Sequence, residues 1–303
     1  MLPNLLLIAT LLVGAVARPN PHHSDKDFDL KLVTSNIRYN AGEGSRFEHE
    51  RSWDERKVGQ IAALAGQTQD GPTVIGVQEA TKVQVDDLIK GLSAKTHCQW
   101  KYFGVGRDDG VEAGEYAAIL YQDNEWELVN GTSRWLSETP LVPSISWGAN
   151  NIRIASISEL KHKPTGNHIN YINTHYDHIS DLARQKSSEL IAEWASLIPN
   201  DYETFITGDF NSISSDLSYQ TLIESFDDTR EIAIKKLSLL ETNTGFESTD
   251  TVKTLDFIWA PKGSNTRDSS VVVEEYNVLD TMTEEGFRYS DHRPVISTFK
   301  IKC

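Results

Sequence analysis

Short apolar runs, each closed by a polar or turn residue, alternate with longer stretches of helical spacing along almost the whole chain. "LKLVTSN" from Leu30 reads as a strand, and "SWDERKVGQIAALAGQ" as a helix with Ser52 and Glu55 at capping-box spacing. "TVIGVQ" predicts a short buried strand, and "TKVQVDDLIKGL" a second helix capped by Thr81. The middle of the chain is richer in strand signals. "WKYFGVG", "YAAILY", "WELVNGTSRWL", "IRIASISEL" and "HINYINTH" are runs rich in aromatic and β-branched residues with turn residues between them. "SDLARQKSSELIAEWASL" places Leu190, Ile191, Trp194 and Leu197 at helical spacing. "TFITGDF", "TLDFIWA", "SVVVEEYNV" and the closing "RPVISTFKI" are again strands. No repeat, low-complexity block or clear linker interrupts the alternation, so one α/β domain over residues 29–303 is expected, with large sheets covered by helices.

The N-terminus departs from this pattern. "LPNLLLIATLLVGAVA" is short for a bilayer span and ends in Ala15-Val16-Ala17, the small-x-small form of a signal peptidase site. A secretory signal over residues 1–17 is expected, then a polar, proline-bearing leader over residues 18–28, and hence a secreted, extracellular protein. No later segment could span a bilayer, so no stable membrane insertion is expected, and a monomer is. The signal carries no charged side chain, so the secreted form keeps the full net charge of -15. Such a chain repels polyanions at long range, which disfavours a purely electrostatic nucleic-acid-binding module and leaves local or metal-assisted contact with a polyanion. Cys98 and Cys303 suit an oxidising compartment and are read as a disulfide that ties down the C-terminus, with free thiols as the alternative. Asn130-Gly131-Thr132 is an N-glycosylation sequon, expected in a surface loop.

Candidate chemistry collects where strands end. Asn36 follows "LVTS", Glu79 follows "VIGVQ", His175 follows "YINT", and Asp209 and Asn211 follow "FITG"; Asp256 lies inside "TLDFIWA", and Asp291 and His292 precede the last strand. Singly, each has an ordinary explanation as a turn cap, an Asx turn or a satisfied core histidine. Together they form a set at strand tips, where α/β proteins build sites. Carboxylate and amide oxygens suit a hard cation such as Mg²⁺ or Mn²⁺ rather than zinc, and two histidines can move protons near neutral pH. No zinc-type spacing and no Walker-type loop is present, and "GVGRDDGVEAG" reads as a loop.

The motifs "SNIRYN", "GVQEA", "GEYAAILY", "NTHYDH", "ITGDFNS", "TLDFIWA" and "YSDHRPV" occur in an order that resembles the endonuclease/exonuclease/phosphatase superfamily, across roughly Leu30 to Ile301. The resemblance implies a four-layer α/β sandwich, two mixed sheets face to face with helices outside, and phosphoester hydrolysis assisted by a divalent metal. It implies Glu79 as the principal metal carboxylate with Asn36 and Asp291 nearby. Asp209 would align or deprotonate the attacking water, Asn211 would contact the phosphate or a metal-bound water, and His292 held by Asp256 would act on the phosphate or as general base. His175 with Glu115 resembles the second acid pair of deoxyribonuclease I, where another branch has a tyrosine.

The substrate is less legible. "FITGDFNS" and "TLDFIWA" lack the tryptophan-containing and Cys-Asp-Arg motifs of inositol polyphosphate 5-phosphatases. The expected substrate is a phosphoester, with nucleic acid as the first candidate and a phosphodiesterase or nuclease as the first activity. The alternatives are a phosphodiesterase or phosphatase of phospholipid or phosphoglycan head groups, and a secreted binding protein without catalysis. Arg153 and Arg38 are read as substrate-phosphate contacts, Arg56 as a surface ion pair, and Trp135 and Trp147 as exposed rings that either stack a base or sugar or merely pack.

Overall fold

The computed structural model describes residues 27–247 and 250–302. The expected signal and most of the expected leader lie outside the described residues, and so does Cys303, the expected partner of Cys98. The first strand, β1 (Phe28–Asn36), begins two residues before the "LKLVTSN" run, because Phe28 is buried and pairs with Ile301. Next come α1 (Trp53–Gly66), β2 (Thr73–Ala80), α2 (Lys82–Thr96), β3 (Trp100–Phe103), β4 (Tyr116–Gln122), β5 (Trp126–Trp135), β6 (Ile154–His162) and β7 (His168–His175). They are followed by α3 (Asp181–Ser196), β8 (Thr204–Asp209), α4 (Leu217–Ile223), β9 (Phe226–Asp228), α5 (Thr229–Ile232), β10 (Lys235–Lys236), β11 (Asp256–Pro261), β12 (Val271–Val278) and β13 (Val295–Ile301). The expected capping box forms at Ser52 with Glu55, and the expected cap Thr81 forms a second one with Gln84.

The strands make a seven-stranded sheet, in the order β10-β12-β13-β1-β2-β4-β3, and a six-stranded sheet, β5-β6-β7-β8-β11-β9. Both are mixed: β1 runs parallel to β2 and β7 parallel to β8, whereas the neighbouring pairs β1–β13 and β8–β11 are antiparallel. The period of two along each strand decides the layering. Leu30 and Leu32 of β1 face Tyr171, Phe205 and Ile258 of the other sheet, while Val33 packs outward among Trp53, Ile61 and Leu64 of α1. In β8, Phe205 joins the layer between the sheets and Ile206 joins Ile191 and Trp194 of α3 and Leu222 of α4. The result is the four-layer α/β sandwich the motifs imply.

A buried polar bolt joins the sheets near their active ends. Asn173 of β7 donates to the carbonyls of Val77 (3.0 Å) and Ala118 (2.9 Å) in the opposite sheet. Its carbonyl oxygen accepts from Gln78 Nε2 (2.7 Å) and Thr207 Oγ1 (3.1 Å). Gly76 makes room for it: a Cβ there would lie 2.5 Å from Asn173 Oδ1 and from Thr207 Oγ1. Asn173 thus has every polar atom of its side chain paired, which fixes the relative placement of the strands it joins, since removing it would strand its partners.

Two sequence expectations fail, one on burial and one on secondary structure. Trp135 is 6% exposed, its indole donating to the Arg107 carbonyl at 2.7 Å, so its ring roofs the loop before β4 and cannot stack a ligand. Asn130 is exposed but sits within edge strand β5, beside a bulge, rather than in a loop.

Candidate active site

Register explains why the polar strand tips meet. Asn36 pairs with Gln78, one residue before Glu79; His175 pairs with Asp209, and Asp209 with Asp256. These residues therefore line one end of both sheets. Glu79 is turned inward by a left-handed backbone, φ 62°, at the point where the pairing of β2 with β4 shifts. Arg38 (φ 56°) and Asn211 (φ 48°) adopt the same conformation. Each costs of order 1–3 kcal/mol, tolerated where surrounding bonds over-determine the backbone, as is common at active sites.

Asn36 is fully buried and its amide donates to Glu79 Oε1 and to Asp209 Oδ2, both at 2.9 Å, so one side chain couples the two carboxylates. Burial works to raise the Glu79 pKa, but the Asn36 bond, the Arg38 charge and the Tyr39 N–H (3.1 Å) prevail and lower it. Asp209 behaves in the opposite way. Burial and the nearby Asp256 charge push it up to about 7, against the pull of His292 and of the bonds from Asn36 and the Asn211 N–H (2.9 Å). Burial and the Glu79 charge likewise raise Asp291, against the pull of His292.

His292 Nδ1 lies 2.7 Å from Asp256 Oδ2, which also accepts from Thr242 Oγ1 at 2.6 Å. Thr242 in turn accepts from the backbone N–H groups of Leu255 and Asp256, both 3.0 Å away. Burial disfavours a charge on His292, yet Asp256, Asp209 and Asp291 outweigh it and hold the pKa well above that of free imidazole. Asn243 Nδ2 lies 3.0 Å from His292 Nε2; a charged ring donates from both nitrogens and calls for the carboxamide turned about so that its oxygen accepts there. His175 faces cations instead. Arg153 Nη1 lies 2.9 Å from His175 Nδ1 and can only donate, which leaves the proton on Nε2. Burial, then the charges of Arg153, Arg107 and His292, hold His175 neutral with a pKa well below the ordinary value. Its Nε2 lies 3.2 Å from Asn211 Nδ2 and 3.5 Å from Asp209 Oδ2; His292 Nε2 is 3.7 Å from the same oxygen.

Other expected roles shift. Glu115 is not hydrogen-bonded to His175, which is 4.0 Å away; it grips Arg107 at 2.6 Å, and Arg153 holds the His175 ring. Arg153 is buried and spans His175 and His178 (3.3 Å). Arg38 is engaged by Glu50 at 3.2 Å through two nitrogens and lies 3.9 Å from Glu79, so its charge faces that carboxylate from inside the protein. Arg56 is no surface ion pair. It is 2% exposed and donates to the carbonyls of Ile37, Arg38, Tyr39, Arg51 and Tyr289, stapling the segment after β1 to the one before Asp291. Cys98 is half-buried and forms no disulfide among the described residues, and Trp147 is half-exposed.

Sequence reasoning missed Arg107, Thr242, Asn243, Asp177 and His178. Asp177 accepts four backbone N–H bonds, from Asn150, Asn151, Ile179 and Ser180 at 2.9 to 3.2 Å, and so ties the loop before Arg153 to the turn carrying His178. The Asp-His pair that closes "NTHYDH" was the available signal.

Two groups bring ligand atoms within 4.8 Å of one another, Glu79–His175–Asp209 and Asp209–Asp256–His292; Asp291 belongs to neither. A cation fits the Glu79 side better. Both histidines already commit Nδ1 to a protein partner and His292 is charged, whereas Glu79 and Asp291 offer carboxylate oxygen; Asn36 lies beside them with its NH2 on Glu79 and its oxygen accepting the Arg38 N–H at 3.0 Å, and the Glu79 charge raises the Asp291 pKa as two carboxylates without a cation between them do.

Comparison with known proteins agrees with this geometry. A model described as the Endonuclease/Exonuclease/phosphatase family matches residues 33–292. Among solved structures, an endonuclease/exonuclease/phosphatase family protein of Bacteroides thetaiotaomicron is similar with a TM-score of 0.80 and 28% identity, over 92% of this chain and 97% of that one. A mannosyl-6-phosphatase of B. thetaiotaomicron VPI-5482 has a TM-score of 0.77 and 30% identity, over 89% of this chain and 99% of that one. D. rerio TDP2, complexed with a single-strand DNA product, shares the fold at TM-score 0.65 and 17% identity, over 89% and 98% of the two chains. No match was found among curated proteins.

Proposed function

The chain belongs to the endonuclease/exonuclease/phosphatase family of phosphoester hydrolases, and from that premise we propose that it is a secreted, Mg²⁺- or Mn²⁺-dependent enzyme that removes phosphate from a phosphorylated carbohydrate. The observation that carries the chemistry is the convergence of Asp209 with His292–Asp256 on one side and Asn36–Glu79 on the other.

Glu79, with Asn36 and Asp291 beside it, would hold the metal, which when bound would supply positive charge at the phosphoryl oxygens. Asp209, with a pKa near 7 and both oxygens fixed, takes a proton from the water that attacks phosphorus in line. Protonated His292 donates to the phosphoryl oxygens as their charge grows, and Asp256 holds its ring in place. Neutral His175 adds a donor from Nε2. Water is split between the products: its hydroxyl ends on phosphate and its proton on the departing alcohol.

Nucleic acid, the first candidate from sequence, is here the second. A polynucleotide track needs exposed cations for successive phosphates. Arg38, Arg107 and Arg153 have side chains only 6% to 12% exposed and are engaged internally, and the chain carries a net charge of -15. A relative 30% identical being a mannosyl-6-phosphatase supports the same choice. The apolar run over residues 1–17 supports secretion.

The test uses protein recovered from culture medium, whose N-terminal sequence should begin at Arg18. Hexose 6-phosphate, bis(p-nitrophenyl) phosphate and plasmid DNA are assayed with Mg²⁺, Mn²⁺ or EDTA, beside His292→Ala. Phosphate release from the sugar, lost in EDTA and in the variant, is expected; rapid metal-dependent DNA nicking without it would restore the nuclease reading.

A further inference from the structure

Phe47 is the only aromatic among the exposed large apolar side chains of the described residues, with 56% of its surface open. Single exposed apolar residues are ordinary on a protein surface. This one is held rigidly at the rim of the site. Its backbone N–H donates to Glu50 Oε2 at 3.0 Å, the carboxylate that grips Arg38. The Arg38 guanidinium lies between two rings, 4.2 Å from the centre of Tyr39 and 4.7 Å from that of Phe47, and reaches to 3.9 Å from Glu79. One chain of contacts thus runs from the exposed ring to the carboxylate best placed for a metal.

A second loop meets the first. Thr244 donates its N–H to the Asp291 carbonyl at 2.7 Å, and two residues later Phe246 brings its ring to 6.3 Å from Phe47. His49 and Glu247 link the loops beside these rings at 2.8 Å. The aromatic pair is thus tied to Glu79 through Arg38 and to the Asp291 backbone through Thr244.

The character of the rim restricts what stacks there. Glu43 and Glu48 are exposed and Glu247 is half-buried, while the arginines of the first loop are engaged within the protein: Arg38 with Glu50, Arg46 with the Ala41 carbonyl, and Arg51 over the Phe287 ring at 3.9 Å. Acidic oxygens around an aromatic face accept bonds from hydroxyl groups and repel further phosphates. A flat apolar face bordered by acceptors suits a neutral polyhydroxylated ring, with its C–H face on the aromatic ring and its hydroxyls at the edge.

We propose that Phe47, buttressed by Arg38 and flanked by Phe246, is the platform on which the leaving group stacks, and that this group is a neutral sugar ring joined to a single phosphate. The inference deepens the proposed function and rests on it. Phe47 acts on specificity and touches no reacting atom, so its removal should change which alcohol is preferred rather than whether phosphate is cleaved.

The experiment compares kcat/KM for mannose 6-phosphate and glucose 6-phosphate with that for glycerol 1-phosphate, which has the same ester type and no ring, in wild-type protein, Phe47→Ala and Phe47→Trp. The ratio of ring to ring-free substrate should fall about 5- to 10-fold in Phe47→Ala, mostly through KM, and recover in Phe47→Trp, the size expected for losing one stacking contact. An unchanged ratio, including equal loss on both substrates, would overturn the platform and leave a merely structural ring. A Phe47-dependent preference for nucleoside monophosphates over sugar phosphates would overturn the sugar assignment. Should the wild-type protein hydrolyse none of these, the proposed function fails, and binding decides the platform separately. In EDTA, saturation-transfer NMR should show contact from protein to the ring protons of mannose 6-phosphate in wild type and its loss in Phe47→Ala; equal signals would refute the platform.

Discussion

His175 and His292 lie on either side of Asp209, 3.5 Å and 3.7 Å from the same carboxylate oxygen, and both rings are buried. Their outer neighbours differ in sign. Arg153 lies against Nδ1 of His175, with Arg107 beyond it; Asp256 lies against Nδ1 of His292, with Thr242 behind. One ring is kept neutral and the other charged, although a sequence shows the same residue twice. The pair can therefore divide the work around one phosphoryl group, and Asp209 between them is left near 7, free to gain or lose a proton.

The severest way to break this contrast is Asp256→Asn, which leaves a nearly isosteric partner but withdraws the anion from His292 Nδ1. Hydrolysis should fall by about 10²- to 10⁴-fold, as for loss of a general acid or base. The comparison needs an unchanged circular dichroism spectrum and retained metal binding; near wild-type turnover in such a protein would show that the charge on His292 is idle. A milder break is Arg153→Met, which removes the cation from His175. A loss of about 10- to 100-fold is expected, the scale of orienting partners around a metal site. In this variant the His175 ring should also begin to titrate in NMR spectra, and silence there would place the cause of its neutrality elsewhere.

The smallest effect lies in the pH dependence of stability, where the two rings should act oppositely. His175 has a lowered pKa when folded, so its stabilisation is present above the unfolded value of about 6.5 and is lost as pH falls through that value toward the folded one. His292 has a raised pKa, so its stabilisation is present below about 6.5 and is lost as pH rises through the folded value. In urea unfolding of metal-free protein, His175→Gln should flatten the acid limb and His292→Gln the alkaline limb. Two variants that flatten the same limb would contradict the assigned charge states.

Much of this was legible because buried strands end abruptly. Asn36, Glu79, His175 and Asp209 were found as polar residues closing apolar runs, and pairing register brings those closures together. Five short elements escaped notice, among them α4, β9, α5 and β10, because two to seven residues complete too few periods to signal their type. The partners of the histidines escaped for another reason. Arg107 lies in a glycine-rich loop, and Thr242 and Asn243 belong to a segment without periodicity, so only the folded chain brings them near. Arg56 was misread because a charged residue on an amphipathic helix ordinarily faces water, while here five carbonyls take it inside. Left-handed Glu79 left no trace at all, since glutamate has no preference for that conformation.

The bond between His49 and Glu247 is exposed, with side chains 56% and 28% open, and it joins two loops that contribute none of the buried acid-base groups. The tips of those loops, around His49 and around Phe246 and Glu247, can change in sequence while Arg38, Glu50, Thr242 and Asn243 at their bases keep their hold on the machinery beneath. The rim is in that sense an interchangeable part, and a gene duplicate could acquire a new diet by altering the tethered loops while inheriting its reaction intact.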